Sequence, residues 1–310
     1  MAQAPCSEEL LKETVQAWVN CNRNIAASAR SVCVPETTFK HRLHRALSLK
    51  TEAQWEVKEP LPEWSYPKAL HETGGNLKVL VGGDAHLWSK DLPVMCQMFI
   101  DVAKKVKPNI IVLNGDIIDG ARVSSHKRYL GISRPPVAEE IDAARFFISK
   151  LPMSSKLYWT IGNHDQRVDF YLANAAPELE DYAGRLSDRF PQAKFCYALF
   201  VNTVEIRHRF RGGIHAGWNN ALHSGTSTVT NHTHQLQVTA VRNRNGTHWG
   251  IETGMLGDPE SPAFEYTEGT QSRAHQGFAL LSFDEEGFLL PPEFCEMLRG
   301  RPVFRTQYLK

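Results

Sequence analysis

The sequence of 310 residues contains no C-x-x-C pair. Its six cysteines, Cys6, Cys21, Cys33, Cys96, Cys196 and Cys295, are scattered, so neither a disulfide framework nor a thiolate zinc site is expected, and they read as reduced, buried thiols. No run approaches the roughly 18 apolar residues of a membrane helix, so no membrane partner is expected. The opening MAQAPCSEELLKE lacks the basic start and apolar stretch of a signal peptide, and a cytoplasmic location is the expectation. Neither charge is in excess, with 35 Lys and Arg against 34 Asp and Glu, so affinity for an acidic partner must come from local clusters. Internal repeats and low-complexity tracts are also missing. A charged fraction of 22% beside 42% hydrophobic residues excludes a disordered chain. At about 150 residues per domain the length accommodates one large and one small domain, or two moderate ones.

The first fifty residues have helical periodicity. Leu11, Val15, Trp18 and Val19 fall at helical spacing between Glu8 and Cys21, and a second short helix is expected over Ile25 to Val32. Pro60, Pro62, Pro67 and Gly74-Gly75 then break any period, so residues 51–75 read as a linker. Strand-like Leu77 to Val81, Ile110 to Leu113 and Leu157 to Ile161 follow, separated by helical stretches, one through Phe99 and Val106 and one near Ala138 to Leu151. This alternation predicts an α/β domain with a mixed or parallel sheet. The last hundred residues turn β-rich. Asn245-Gly246 reads as a hairpin turn between Leu236 to Arg242 and Thr247 to Thr253. Gln276 to Phe283 reads as a closing core strand, and Gly254 to Gly257 as a tight loop near the clusters described next.

Metal-ligand residue types cluster where strands should end. Asp84-Ala85-His86 follows the first strand, Gly115-Asp116-Ile117-Ile118-Asp119 the second and Gly162-Asn163-His164-Asp165 the third. Sites in open α/β sheets lie at the carboxyl ends of strands, so these loops should converge. Gly213-Ile214-His215 and Asn231-His232-Thr233-His234 add two clusters from the β-rich half. Oxygen donors with imidazole suit Mn, Fe or Zn, and the lack of cysteine disfavours a structural zinc site. Two cations roughly 3.5–4 Å apart need a shared anionic ligand; such a pair makes hydroxide available near neutral pH for in-line attack on phosphorus. An alkoxide leaving group then needs a proton, which a histidine held by a carboxylate can deliver.

The five blocks, D-x-H, G-D-x-x-D, G-N-H-[DE], a later His and x-H-x-H, occur in the order found in calcineurin-like metallophosphoesterases. The sequence resembles that family from Leu77 to about Val303. The resemblance implies a β-sandwich flanked by helices over residues 76–310 and two divalent metal ions, Mn foremost with Fe, Zn and Ni as alternatives. It places Asp84, His86 and His234 on the first metal, Asn163, His215 and His232 on the second, and Asp116 between them. His164 becomes the general acid, with Asp119 orienting its ring. His208 and His223 compete with His215; His215 is preferred because Gly213 precedes it at the end of the strand-like run Val204 to Phe210. The remaining histidines are expected on the surface or hydrogen-bonded in the core.

Two positions depart from the family pattern. Asn231 stands where a Gly is usual, which alters the turn but removes no ligand. Gly120 follows Asp119 where the phosphoprotein phosphatases place an Arg that clamps a monoester, which tilts the reading toward phosphodiesterases and nucleases. Arg122 and Arg167 are nearby alternatives for that charge and candidate substrate contacts.

In the N-terminal segment, small Ala29 permits close helix approach, Val32 and Val34 flank a turn, and Phe39 and Leu43 follow from a helix opened by Pro35. Residues 1–50 resemble helix-turn-helix segments of resolvase-like, Fis-like and phage proteins, an all-α domain that would turn Thr37, Thr38, Lys40, His41, Arg42, His44 and Arg45 toward DNA. Cys33 stands where that turn commonly has Gly. The plain alternative is a packing or dimerisation module with a solvated basic face.

Basic stripes lean the same way. Residues 121–135 contain Arg122, Lys127, Arg128 and Arg134 and no acid. Arg207, Arg209 and Arg211 alternate along an expected strand, which would put all three on one face. Trp88 and Trp218, each next to a metal block, are expected mainly in core packing. The double-strand-break repair nucleases of the superfamily share the five blocks, but coiled-coil partner signals are missing here. The pairing with a helix-turn-helix looks more like a phage or prophage product, acting in a bacterial cell or infected host. The leading expectation is thus a two-metal phosphodiesterase or nuclease acting on DNA. A phosphomonoesterase, a nucleotide or cyclic-nucleotide phosphodiesterase, and a non-enzymatic DNA-binding regulator with a structural metal site stand as alternatives, and the oligomeric state stays open.

Overall fold

A computed structural model describes residues 6–21, 23–55, 66–126, 131–179, 184–244, 246–267 and 273–309. The chain divides into two compact units, residues 1–65 and 66–310. Among the described residues no helix is long and apolar enough to cross a membrane.

In the first unit, α1 (Glu8–Asn20) starts where the Ser7 side chain accepts the Leu10 N–H at 3.2 Å, with Glu8 and Glu9 in the first turn. The Asn24 side chain likewise accepts the Ala27 N–H at the start of α2 (Ile25–Ser31). Pro35 precedes α3 (Glu36–Leu49), whose buried residues Phe39, Leu43 and Ala46 lie on one stripe. That stripe packs with Leu11, Val15, Val19 and Ala29, and Trp55 covers it, its Nε1–H donating to the Ala46 carbonyl. Between α2 and α3 the chain reverses at Cys33, which takes a left-handed φ of +52°. The Val34 N–H then returns to the Ala29 carbonyl at 3.0 Å. The cysteine thus adopts the conformation that a glycine would supply at less cost.

The second unit is a sandwich of two sheets. One has the order β14-β13-β12-β11-β2-β3-β4-β5, and the other β1-β6-β7-β8-β10-β9. In the first, β2 (Lys78–Gly82), β3 (Ile110–Leu113), β4 (Lys156–Thr160) and β5 (Lys194–Cys196) are parallel. The antiparallel strands β11 (Gly277–Ser282), β12 (Glu293–Leu298), β13 (Arg301–Phe304) and β14 (Gln307–Tyr308) extend its other side. The second sheet comprises β1 (Leu70–Glu72), β6 (Leu199–Val201), β7 (Val204–Ile206), β8 (Thr228–Thr230), β9 (Leu236–Asn243) and β10 (Gly246–Thr253). Alternation along the strands decides what each face covers. Val79 and Val81 of β2 and Val112 of β3 meet Leu199, Ile206, Val229 and Ile251 in the interlayer. Leu80, Ile111 and Leu113 face outward onto Phe99 of α4 (Val94–Val106) and Phe147 of α5 (Val137–Ser149). The first sheet is therefore covered on both faces, which explains its continuous apolar strands. Among the described residues two shorter helices, α6 (Arg167–Ala175) and α7 (Ala216–Ser224), belong to the same unit.

The expected linker is too long at both ends. A short helical turn spans Glu52–Trp55, and β1 pairs in parallel with β6 inside the stretch read as linker. Pro67 already belongs to the second unit, its carbonyl accepting the Tyr197 N–H at 2.9 Å. Proline is tolerated there because it stands ahead of an edge strand. Pro60 and Pro62 lie outside the described residues, as does Asn245 of the expected hairpin turn, although β9 and β10 pair antiparallel on either side of it.

The left-handed cysteine generates a test. A non-glycine residue in that conformation costs about 1–2 kcal/mol, and Cys33 is exposed, so no packing is lost on its removal. Cys33→Gly should stabilise the first unit by about 0.5–1 kcal/mol after glycine's extra unfolded-state entropy, and Cys33→Val should destabilise it. Hydrogen-exchange protection over residues 8–49 should rise in the first variant and fall in the second.

Candidate metal centre

Five loops meet at one end of the sandwich. Three leave β2, β3 and β4 of the first sheet, and two leave β7 and β8 of the second. The backbone is bent hard where they meet: Asp84, His86, Asp116, His232 and His234 all have left-handed φ, between +44° and +65°. Such residues cost on the order of 1–3 kcal/mol each and persist only where surrounding structure fixes them. Here the Asp84 N–H donates to Gly115 O, the His86 N–H to Asp116 O and the Leu87 N–H to Ile117 O, at 2.9–3.0 Å. The Gly257 N–H donates to Asp84 O at 2.9 Å, placing the Gly254 to Gly257 loop against the centre. Two glycines are set by close approach. A Cβ at Gly162 would stand 2.1 Å from Asp116 Oδ1, and one at Gly115 would stand 2.4 Å from His208 Nδ1.

Within this cradle three overlapping groups bring ligand atoms within 4.8 Å of one another: Asp84, His86 and His234; His86, Asp116 and His164; Asp116, His208 and His232. Four buried atoms of the set, Asp84 Oδ1, His86 Nε2, Asn163 Oδ1 and His208 Nε2, have no hydrogen-bond partner. Each such orphan costs about 1–3 kcal/mol, and four around one point fit a site built for cations. Burial raises the Asp84 and Asp116 carboxyls. The imidazoles of His234 and His208 at Asp84, and of His208 and His164 at Asp116, outweigh it and hold both below the usual carboxylate range. Burial, then the charge of His208, pushes His232 down to about 4, leaving a neutral ring with a lone pair to donate.

Against the preference for His215, the structure places His208 in the ligand group and His215 outside it. The strand ends at Ile206, four residues short of the expected end. The chain then turns His208 inward, its Nε2 at 3.1 Å from Asp116 Oδ2 and its Nδ1–H donating to the Asn114 carbonyl at 2.8 Å. A carbonyl can only accept, so Nδ1 carries a proton, and Nε2 is directed at the ligand group. His215 is exposed and precedes the first residue of α7. The early strand end also dissolves the arginine stripe: Arg207 pairs with Glu205 at 3.2 Å, whereas Arg209 and Arg211 lie in the exposed loop beyond.

Asp119 touches four groups. Its Oδ1 lies 2.6 Å from His164 Nδ1, 3.1 Å from Arg167 Nη1 and 3.3 Å from His86 Nδ1, and its Oδ2 accepts the Trp88 Nε1–H at 2.8 Å. The carboxylate thereby orients His164 and also the ring of the expected ligand His86. Burial raises it, but the hydrogen bonds of His164 and His86 prevail and keep it ionised. Arg167 Nη2 stands 3.1 Å from His164 Nε2. A Cβ at Gly120 would meet the Arg167 Cβ at 2.9 Å, so Arg167 fills the space beside the residue where an Arg is lacking. Arg122 lies exposed on a short helical turn, its Nη2 donating to the Arg134 carbonyl. Lys127 and Arg128 lie outside the described residues. Trp88 is half-buried and packs against the buried cluster of Met255, Ala263 and Phe264 while its Nε1–H reaches Asp119, whereas Trp218 is 41% exposed on α7 and is not a core residue.

Residues that carry no role in the sequence reading hold the centre together. Asp165, fully buried, accepts from the backbone of Asp116, Ile117, Ile118 and Gly162 and from Trp159 Nε1. Burial and the nearby Asp116 raise its pKa to about 6. Glu140 of α5, also buried, accepts the N–H groups of Asp119, Gly120 and Ala121 at 2.6–3.0 Å. Asn231, the departure from Gly, accepts from Asn114 Nδ2 at 2.6 Å and donates to the Gly254 carbonyl at 2.8 Å, latching two loops with atoms that glycine lacks. Asp165 lies inside a recognised block, and an acid flanked by such a motif is a usable signal. Glu140 reads only as an acidic first-turn residue of a helix, and nothing local reveals its three partners.

In the first unit Thr37, Lys40, His41, His44 and Arg45 are exposed on α3, and Thr38 and Arg42 are half-buried. Lys40 pairs with Glu36 at 2.7 Å.

The family model described as Calcineurin-like phosphoesterase matches residues 77–262. Two relatives are the Gene 54 proteins of Mycobacterium phage L5, 26% identical over 163 residues, and of Mycobacterium phage D29, 28% identical over 163 residues. Each match covers 45% of this chain and 61% of the phage protein, so the chain spans about three fifths of the length of those relatives. A solved Vps29 complexed with zinc from Entamoeba histolytica is 14% identical, with a TM-score of 0.37 over 73% of this chain and 96% of that one.

Metal stoichiometry checks the histidine assignment. His208→Ala should retain about one Mn per chain where the parent retains two, and His215→Ala should retain both, as read by plasma mass spectrometry after desalting. The reverse pattern would restore His215.

Proposed function

From the premise that the chain belongs to the calcineurin-like phosphoesterase family, and is therefore a metal-dependent phosphoester hydrolase, we propose that it is a phosphodiesterase that cleaves DNA. The observation that carries the mechanism is the 2.6 Å contact of Asp119 Oδ1 with His164 Nδ1 at the edge of the ligand group. Asp84, His86 and His234 would hold one divalent cation, Asn163, His208 and His232 the other, and Asp116 both, with Mn the favoured metal. When bound, the pair supplies Lewis-acid activation of water and neutralises charge on phosphate oxygens.

The chain's own groups do the rest. Asp119 keeps the His164 ring in place with Nδ1 protonated, so Nε2 is the atom that serves the leaving oxygen. In the unliganded arrangement Arg167 donates toward that Nε2. A bound phosphate competes for the guanidinium, and its transfer to a nonbridging oxygen leaves Nε2 able to carry a proton and release it to the departing alkoxide. Glu140 holds the backbone of Asp119 to Ala121, and Asp165 that of Asp116 to Ile118, so the acid and the ligand move little during turnover.

Gly120 in place of the monoester-clamping Arg and the exposed basic side chains of α3 support a polymeric diester. The phage relatives support a setting in an infected bacterial cell. One observation favours a phosphomonoesterase as second reading: Arg167 occupies the space beside Gly120 and could clamp a terminal phosphate.

Hydrolysis of bis-p-nitrophenyl phosphate, p-nitrophenyl phosphate and labelled single- and double-stranded DNA by the Mn-loaded protein separates the two readings. Diester and DNA cleavage are expected; turnover of the monoester alone would establish the second reading. Asp116→Ala should lose bound metal and all activity. His164→Ala should keep its metal and lose on the order of 10²–10⁴ in DNA cleavage rate, with a smaller loss on nitrophenyl esters, whose leaving group needs no proton. Full DNA cleavage by His164→Ala would remove the acid assignment.

The DNA-binding role proposed for the first unit has its own readout. Replacing Arg42 and Arg45 by Ala should weaken DNA affinity severalfold and lower the salt dependence by about two phosphate contacts. The rate on bis-p-nitrophenyl phosphate should not change, and fluorescence anisotropy across a salt series measures the effect.

A further inference from the structure

Beside His232 lies a concavity of about 110 Å³, walled by Arg209 to Gly212 on one side and Thr230 to Thr233 on the other. A single water claims roughly 30 Å³, so this space admits a larger group. Its walls carry two arginines and no acid. Arg209 and Arg211 are exposed, and among the described residues neither guanidinium has a side-chain or carboxylate partner. Arg207, two residues earlier, is engaged by Glu205 and lies 5.0 Å from the Phe210 ring centroid, so the loop already spends one of its three cations on the fold. The main chain is fixed where the free pair projects: the Arg211 N–H donates to Asn220 Oδ1 at 2.9 Å, and the Asn231 N–H donates to the His208 carbonyl at 2.9 Å. The space beside the acid dyad, lined by Trp88, Asp119, Ser124 and Arg167, measures only about 20 Å³. Room and unspent positive charge therefore coincide on the His232 side.

We infer that this concavity is a subsite for a second, non-reacting phosphate of the substrate, held by Arg209 and Arg211 while the scissile phosphate lies on the ligand group. The inference rests on the phosphodiester reading above and narrows it, because a substrate with phosphates at internucleotide spacing gains from the subsite and an isolated diester does not. Arginine suits the task through its fixed fork of donors to phosphate oxygens. A cation pair with no protein partner, beside a centre that attacks phosphate esters, is otherwise only a source of self-repulsion.

The test uses the full-length, Mn-loaded protein and two probes with no internucleotide bond to cleave, thymidine 3′,5′-bisphosphate and thymidine 5′-monophosphate, titrated calorimetrically with probe integrity verified by chromatography. The parent should bind the bisphosphate at least tenfold more tightly than the monophosphate. Arg209→Ala with Arg211→Ala should bring the two affinities within about twofold, and the paired Arg→Lys variant should recover part of the difference. Retained metal content and melting temperature establish that the variants fold. Equal affinity for both probes in the parent, or a preference that survives the double Ala substitution, would overturn the subsite. Failure of the DNA-cleaving reading is a separate outcome: a bisphosphate preference without diester hydrolysis keeps the subsite and removes the nuclease, whereas diester hydrolysis without the preference does the reverse.

Discussion

The buried carboxylate of Asp165 is the contact on which the centre depends. It lies behind the ligands and accepts from four backbone N–H groups and one indole. Four of the five donors come from the loops that follow β3 and β4, so a single side chain fixes one loop against the other. Burying a carboxylate is unfavourable, and its raised pKa of about 6 records that burden. The alternative is several buried N–H groups without acceptors, each costing about 1–3 kcal/mol. Asp116 is positioned by this arrangement twice over, through its own N–H to Asp165 and through its Oδ1, which accepts the His164 N–H at 2.7 Å. The proposed shared ligand and the proposed acid are thereby set in one frame.

The same frame tolerates five ligand residues in left-handed conformations. Their strain is local, and the bonds that oppose it are distributed over Gly115, Asp116, Ile117 and Gly257. The bent backbone turns consecutive polar side chains inward at the strand ends, where an extended chain would send alternate residues to opposite faces. Glu140 extends the pattern to the acid dyad, gripping three successive N–H groups from a helix on the outer layer. Burial, with Asp119 close by, lifts its pKa to about 8, so here too an ionisable group is held in an unfavourable environment for the sake of the main chain it supports.

Much of this was legible in the sequence because each ligand block sits next to a strand whose apolar run is unmistakable. β2, β3 and β4 are covered on both faces, and such strands announce themselves and the loops that leave them. The place of His208 is hidden in the sequence for the complementary reason. In β7 the apolar pattern runs through Val204 and Ile206 and on to Phe210, so periodicity carried the strand past the point where the chain turns, and Gly213 offered a false landmark. Only the third dimension shows that His208 reaches Asp116 while His215 stands exposed ahead of α7. Charge is harder still to read. Arg207, Arg209 and Arg211 look alike in sequence, yet the first is consumed by Glu205. Arg167, two residues past the block Gly162 to Asp165, fills the gap left at Gly120.

The two sheets contribute unequally and jointly. The first supplies Asp84, His86, Asp116, Asn163 and His164, and the second supplies His208, His232 and His234. Each sheet alone therefore carries an incomplete ligand set, and the interlayer of Val79, Val81 and Val112 against Ile206, Val229 and Ile251 sets the separation between the halves. Asn114 and Asn231 span that junction with a 2.6 Å hydrogen bond directly beneath the ligands. Asn231 then gains a physical reason to stand where glycine is usual. The turn needs no glycine there, because His232 takes the left-handed conformation, and the freed position carries an amide that ties the loops of the two sheets together.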